Sequence, residues 1–303
     1  MQDCSRPLAE FDYVAPRSLH EVFALLQNSS ARARVVAGGT DLMLEMKNRS
    51  VQPEILIDLN RVSKLSFVEL DDHMLRIGAT TTLNEIKESS AIQQRAPLLI
   101  DAIIRFASHT IRNRATVVGN LCNASPAADL APSLLALDAV VTLQGPTGER
   151  TIPLDEFFVA PGCTAIQANE VVTEISIPCR DGNSAYLKLG RRKGLVISVA
   201  AAAAFAVVTD GKIEDIRLAL CAVAPTPIRS REAEEALIGT IADTEAITNA
   251  AELVRQQVQH AADVRKSPDS GYKRATPAYR VEMSYRLAKR VLTKACNSNG
   301  VDR

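Results

Sequence analysis

An α+β chain built of three units, 1–61, 62–180 and 181–303, is the fold that this 303-residue sequence predicts. Three observations lead there. Short β-branched runs and helical spacings alternate through the first two units. Two glycine-bearing stretches interrupt them about eighty residues apart, at strand-to-turn junctions. Near residue 181 the texture changes to one long hairpin followed by three helical patterns, an antiparallel sheet with helices.

In the first unit, Ser18 and Glu21 have capping-box spacing, and Val22, Leu25 and Leu26 recur at helical intervals behind them. A β-branched run at 34–37 stops at Gly38-Gly39, helix formers resume over 42–47, and 54–59 reads as a second strand. In the second unit, 65–70 and 74–79 read as a hairpin. Thr82 and Glu85 cap a short helix, and a helix with proline in its first turn occupies 97–107. Ser125-Pro126 predicts a helix running through Leu137, followed by strands at 139–143 and 171–177 with turn chemistry at 144–148. In the third unit, 196–208 and 213–223 flank Asp210-Gly211, a hairpin turn. Helical patterns follow at 229–238, 243–262 and 277–294, with a polar, basic, mobile loop expected at 266–277. The alanine run 200–204 reads as close packing.

Composition excludes several function classes. Lys plus Arg equals Asp plus Glu at 35 each, so no basic footprint exists for nucleic acid or an anionic membrane. Aromatic residues make up only 4% with no tryptophan, which argues against a base-stacking platform. The cysteines at 4, 122, 163, 179, 221 and 296 form no CxxC, so no iron–sulfur or zinc site of the chain's own is expected. The apolar stretch 196–208 is too short to cross a bilayer, and a reduced cytoplasmic setting is the expectation.

The chemistry lies in the two glycine stretches. Val35-Val36-Ala37-Gly38-Gly39-Thr40-Asp41-Leu42 ends a strand and presents successive amide N–H groups, an anion-binding nest. The alternative at that position is an ordinary tight turn. In Thr110-Ile111-Arg112-Asn113-Arg114-Ala115-Thr116-Val117-Val118-Gly119-Asn120, a hydroxyl and an amide flank a glycine open to close approach. Ser125 is expected to cap a helix facing the same place, with Asp129 one turn in, either accepting from sugar hydroxyls or complementing the helix dipole. Neither stretch is a GxGxxG fingerprint or a P-loop.

With Ala124-Ser125-Pro126, Asp129, Pro132 and 134–139 added, these motifs resemble the FAD-binding subunits of molybdenum hydroxylases, the xanthine dehydrogenase and carbon monoxide dehydrogenase type. The likeness continues through Tyr186 to Arg192, Pro227 to Glu234 and Ala278-Tyr279-Arg280, nearly the whole chain. It implies a two-subdomain FAD-binding fold of the PCMH/carbon monoxide dehydrogenase flavoprotein type plus a C-terminal α+β domain. It also implies non-covalent FAD. Ala37 to Leu42 would hold the pyrophosphate, and Thr116, Gly119 and Asn120 would continue the phosphate and ribityl contacts. Asp129 would bind ribityl hydroxyls, and Phe106, Ala107 and Ile111 would pack about the adenine. Cys122 would lie near the isoalloxazine with Val172 opposite, and Lys188 would reach the ring and favour its reduced anion. The implied partners are a small subunit with two [2Fe–2S] clusters and a large molybdenum–pterin subunit, in a dimer of heterotrimers. Substrate hydroxylation would then fall to the large subunit, and this chain would need no catalytic base.

One residue departs from the family pattern: Val118 stands where a glycine is usual. It is expected in a β conformation, leaving Gly119 as the close-approach residue. His109 reads as a helix C-terminal cap rather than a flavin attachment point, and 191–193 and 266–274 read as solvated basic faces. The alternatives are a self-contained flavin reductase or oxidase resembling UDP-N-acetylenolpyruvoylglucosamine reductase, and a scaffold that has lost its cofactor. The first needs its own proton donor and phosphate-binding side chains, and no such constellation stands in the last 120 residues.

Overall fold

The computed structural model describes residues 7–29, 32–71, 73–192, 194–264 and 275–297. The mobile loop expected at 266–277 and its basic residues 266–274 fall largely outside them, as do Cys4 and Lys193.

The chain opens with β1 (Asp12–Val14), α1 (Leu19–Ser29), β2 (Ala33–Val36), α2 (Leu42–Lys47) and β3 (Ile55–Asp58). The strands form a parallel sheet in the order β1-β3-β2, the outcome expected when helices connect successive strands. Ser18 caps α1, Glu21 N–H donating to its Oγ at 3.3 Å, while Glu21 Oε2 accepts from Arg17 N–H at 3.0 Å, one residue before the cap, so only half of the expected box is seen. Val22 and Leu26 on α1 bury against Ile57 of β3.

A 3₁₀ turn (Leu59–Arg61) leads to β4 (Val68–Leu70) and β5 (Met74–Gly78). Six short helices follow: α3 (Leu83–Glu88), α4 (Ser90–Arg95), α5 (Pro97–Ile104), α6 (His109–Arg112), α7 (Val117–Cys122) and α8 (Ala131–Ala136). Then come β6 (Val140–Gly145), β7 (Gly148–Pro153), α9 (Leu154–Phe157), β8 (Phe158–Ala160), β9 (Cys163–Thr164) and β10 (Val171–Pro178). The main sheet here is antiparallel, in the order β4-β5-β10-β6-β7, with β8 and β9 a separate ribbon.

The last region holds β11 (Asn183–Leu189), β12 (Ala200–Thr209), β13 (Lys212–Cys221) and β14 (Ile228–Arg229), antiparallel in that order. Helices α10 (Arg231–Leu237), α11 (Thr244–Val264) and α12 (Pro277–Cys296) cover one face. Asp210 and Gly211 both have positive φ, 51° and 78°, the requirement of a two-residue type I′ hairpin. The alanine run sits on β12, buried on both faces. Ala201 and Ala203 join the core shared with the second region, while Ala200, Ala202 and Ala204 face the core under the three helices. Small side chains at period two let a strand pack closely on both sides.

Three expectations fail. Ser125-Pro126 does not open a helix to Leu137. Residues 125–130 turn irregularly, Ser125 Oγ accepts from Ala127 N–H at 3.2 Å, and α8 begins only at Ala131. Pro132 explains it: a helix from 126 would place proline in its interior, without an N–H for the ladder, whereas at N2 it costs nothing. His109 begins α6 behind the N-cap Ser108 rather than ending α5, which stops at Ile104. Val118 is not extended; it lies in α7, buried in the main core at 6% exposure, where right-handed helical geometry makes no demand for glycine.

Candidate cofactor-binding site

Two chain segments face each other across an open cleft. On one side β2 ends and the chain passes through Ala37 to Asp41 into α2. On the other, α6 gives way to Ala115 and Thr116, the N-cap of α7. Gly38 is where they meet. A Cβ on it would stand 2.2 Å from the carbonyl oxygen of Arg114, so only glycine lets the two backbones approach. Gly39 has φ +71°, the left-handed turn that redirects the strand into α2. Among the described residues, no N–H from Gly38 to Leu42 donates a hydrogen bond to the protein. Donors left open at the protein surface, five in succession, are what an anion would find there.

The second segment is braced from behind. Ala115 C=O accepts from Leu83 N–H at 2.9 Å, and Thr116 bridges to Thr82, whose own capping box with Glu85 is complete. Thr116 Oγ1 accepts from Gly119 N–H at 2.9 Å, and a Cβ on Gly119 would press that hydroxyl at the same distance. Upstream, Ala107 takes φ +40°, uncommon for alanine. Arg112 holds that bend, donating from Nη1 to the carbonyls of Phe106 at 2.7 Å and Ala107 at 3.1 Å. Asn113 in turn accepts from Asn84 Nδ2. The Arg-Asn pair of the motif is therefore scaffolding for the loop that aims Phe106 into the cleft.

Of the residues singled out in the sequence, Val35 to Leu42, Phe106, Thr116, Gly119, Asn120 and Cys122 line the cleft together. Ala107, Ile111, Asp129, Val172 and Lys188 do not. Ile111 stands exposed on α6, and Val172 is buried on β10. Asp129 and Lys188 hold each other, Nζ to Oδ2 at 2.6 Å, with both side chains nearly sealed from solvent. Ser198 Oγ donates to the other Asp129 oxygen, Tyr186 OH to the Asp129 carbonyl at 3.1 Å, and Lys188 Nζ to the carbonyl of Arg105 at 3.2 Å. Glu45, Ala115 and Asn123 line the cleft and were missed in the sequence. Glu45 follows Asp41 by four residues and Asn123 follows Asn120 by three, so helical spacing would have found both once α2 and α7 were set.

The site accommodates an anionic, multiply hydrogen-bonding group. Asn120 Oδ1 is buried with no partner among the described residues, a costly state unless a ligand donor or water meets it. Burial pushes the Cys122 thiol up to about 12, so this wall presents an uncharged, weakly polar group. No cluster of three potential metal ligands occurs among the described residues, and no helix is long and apolar enough to cross a membrane.

Two family profiles tile the chain: FAD binding domain in molybdopterin dehydrogenase over residues 9–180, and CO dehydrogenase flavoprotein C-terminal domain over 185–295. The chain is 34% identical over 287 residues to the carbon monoxide dehydrogenase medium chain of Hydrogenophaga pseudoflava, covering 94% of this chain and 96% of that one. It is 29% identical to the xanthine dehydrogenase FAD-binding subunit of Escherichia coli O157:H7, covering 89% and 90%. A solved structure of the Hydrogenophaga pseudoflava carbon monoxide dehydrogenase, in a form lacking the Mo-pyranopterin moiety, superposes with a TM-score of 0.89 over 96% of this chain and 98% of that chain.

Proposed function

Because the chain belongs to the FAD-binding flavoprotein family of the molybdenum hydroxylases, we propose that its cleft holds FAD non-covalently through the two facing segments. The chain is an oxidoreductase subunit, the medium component of a molybdoenzyme of the xanthine and carbon monoxide dehydrogenase type. The chemistry that FAD supplies when bound is electron relay, from the [2Fe–2S] clusters of a partner subunit to a terminal acceptor.

What this chain contributes is placement. The open amides of Gly38 to Leu42 would take the diphosphate, and Thr116, Gly119 and Asn120 the adjoining phosphate and ribityl oxygens. Phe106 and Cys122 bound the cleft, with Ala107 and Ile111 beside the adenine end and Val172 behind Cys122. Asp129 keeps acceptor capacity for ribityl hydroxyls, since each of its oxygens receives one side-chain hydrogen bond and a carboxylate has about four lone-pair sites. Lys188, ion-paired with Asp129, would supply a positive charge toward the flavin ring. The small iron–sulfur and large molybdenum–pterin subunits complete the complex, which we assign as a dimer of heterotrimers in the cytoplasm.

The observation that supports this reading is a polar rim unpaired among the described residues: five open amides and the buried Asn120 Oδ1, lining one cleft. The test is flavin content and affinity. The purified chain is expected to carry, or to bind on addition, about one FAD released by heat, and Asn120→Leu to weaken binding about tenfold through the lost hydrogen bond. A chain that stays colourless in excess FAD would remove the assignment.

A further inference from the structure

The first glycine segment is held at one peptide by a side chain that does not line the cleft. Asn60, in the 3₁₀ turn after β3, donates from Nδ2 to the carbonyl of Ala37 at 2.9 Å. Its second Nδ2 hydrogen bond goes to Asp58 Oδ1 at 2.5 Å, which also accepts from Asn60 N–H at 2.9 Å. Both amide donors are thereby committed, and the side chain has one orientation. Tyr13 OH on β1 donates to the other oxygen of Asp58. Tyr13 on β1, Asp58 at the end of β3 and Asn60 in the turn after it thus form one chain of hydrogen bonds that ends on the Ala37 carbonyl beyond β2, strands brought together by the parallel sheet.

That carbonyl belongs to the same planar unit as the N–H of Gly38. No cis bond occurs among the described residues, and in a trans peptide the C=O and N–H point in opposite directions. Holding the Ala37 oxygen toward Asn60 therefore turns the Gly38 N–H away from it. That N–H has no acceptor among the described residues, and Gly38 lines the cleft. On its other side Gly38 abuts Arg114, whose carbonyl oxygen lies 2.2 Å from where a Gly38 Cβ would be. A hydrogen bond to the carbonyl also polarises the amide and strengthens its N–H as a donor.

We propose that Asn60 is a positioning residue for the diphosphate, orienting and polarising the Ala37–Gly38 peptide so that the Gly38 N–H meets the anion, with Asp58 and Tyr13 holding Asn60 in place. The inference rests on the cleft being the FAD diphosphate site and adds to it a group that touches no cofactor. It predicts a particular pattern: the effect should follow the phosphates and not the flavin ring.

The test uses the full chain stripped of flavin and titrated with FAD, ADP and riboflavin. Asn60→Leu and Asn60→Asp, both without the amide donors, should weaken FAD and ADP about tenfold and leave riboflavin unchanged. Asn60→Gln, which restores a donor on a longer arm, should recover part of the loss, and Tyr13→Phe should weaken ADP less than Asn60→Leu does. The ³¹P shifts of bound FAD should move in Asn60→Leu, because the donor facing the phosphates is reoriented. Wild-type affinity for ADP in both donor-free variants would overturn the proposal, as would an equal loss of riboflavin, which would mark general unfolding of the loop. If the wild-type chain binds neither FAD nor ADP, the cleft assignment itself fails, an outcome separate from any behaviour of Asn60.

Discussion

The cleft and the junction around Asp138 use polar groups in opposite ways. At the junction, Asp138 follows α8 with φ +52° and faces three guanidinium groups. Its Oδ2 accepts from Arg217 Nε at 2.5 Å and Arg180 Nη1 at 2.9 Å, and its Oδ1 from Arg229 Nη1. Arg229 also forks onto Glu234 at 2.6 and 3.0 Å, Glu234 Oε1 accepts from Leu218 N–H at 2.8 Å, and Asp215 pairs with Arg217 and Arg180. Three arginines thus meet three carboxylates. In the cleft, by contrast, a run of amides and the buried Asn120 side-chain oxygen have no partner among the described residues. The junction's polar groups are spent on joining the second sheet region to the third, while those of the cleft are kept for a ligand. Where polar groups are matched internally the chain gains rigidity, and where they are left open it gains a site.

The largest expected effect is at the junction. Arg229 is 7% exposed, and removing it in Arg229→Leu leaves Glu234 and part of Asp138 buried without compensation. A loss of about 3–5 kcal/mol is expected by calorimetry or denaturant unfolding. A loss below about 1 kcal/mol would place the network among exposed pairs of little weight. The pH dependence has a definite sign. Burial alone would raise the Asp138 carboxyl, but Arg229, Arg217 and Arg180 outweigh it and hold the group below the usual carboxylate range. A depressed folded value contributes stability that is complete above the unfolded value of about 4 and is lost as pH falls through the folded one. Wild-type stability should therefore drop below about pH 4, and Asp138→Asn should flatten that part of the profile while lowering the plateau.

The next effect sharpens the cleft side. Gly38→Ala places a Cβ against the Arg114 carbonyl, and since both atoms are backbone-bound the two segments must separate. Overpacking of this kind costs about 1–3 kcal/mol, and FAD affinity should fall by more than the stability loss alone explains, because the open amides move with the segment. A side chain standing in the path of the diphosphate would be one cause of such a loss. The geometry gives another cause, loop against loop, and of this pair it is Gly39 whose positive φ calls for glycine. A Gly38→Ala chain with wild-type FAD affinity would separate loop approach from cofactor binding.

The legible parts of the sequence were those where one local rule dominates. The cap at Ser18, the box at Thr82, the Asp210-Gly211 turn and the strand-to-glycine junction at Val36 each read correctly from a few residues. Between 105 and 137 local rules competed. Serine and proline at 125–126 carry a start signal, yet Pro132 forbids the long helix it announces, and glycine at 119 suggested a loop where Thr116 caps a helix. The bonds of Arg112 to Ala107, Asn60 to Ala37 and Arg229 to Asp138 could not be seen, because the partners lie 5, 23 and 91 positions away and are brought together by the fold. Resemblance named the cleft residues, but the Asp129–Lys188 pair emerged only when β11 was laid against the turn before α8.

The smallest effect concerns Cys122, and it probes how the closed part of the cleft wall differs from the open part. Its thiol is pushed up to about 12 by burial, against about 8.5 for a free cysteine. Because the thiolate is the nucleophile, a shift of this size leaves less than about one part in a thousand reactive at pH 8, where an unperturbed thiol is about a quarter ionised. Iodoacetamide at that pH should therefore modify the exposed Cys163 first and Cys122 at least about a hundred times more slowly than in the unfolded chain, read by peptide mass spectrometry. The rate should fall further when FAD is added, since Cys122 lines the cleft that the cofactor would fill. Labelling of Cys122 as fast as Cys163 would mean that this wall admits water. The cleft would then be solvated on every side, and the contrast with the junction would rest on the open amides alone.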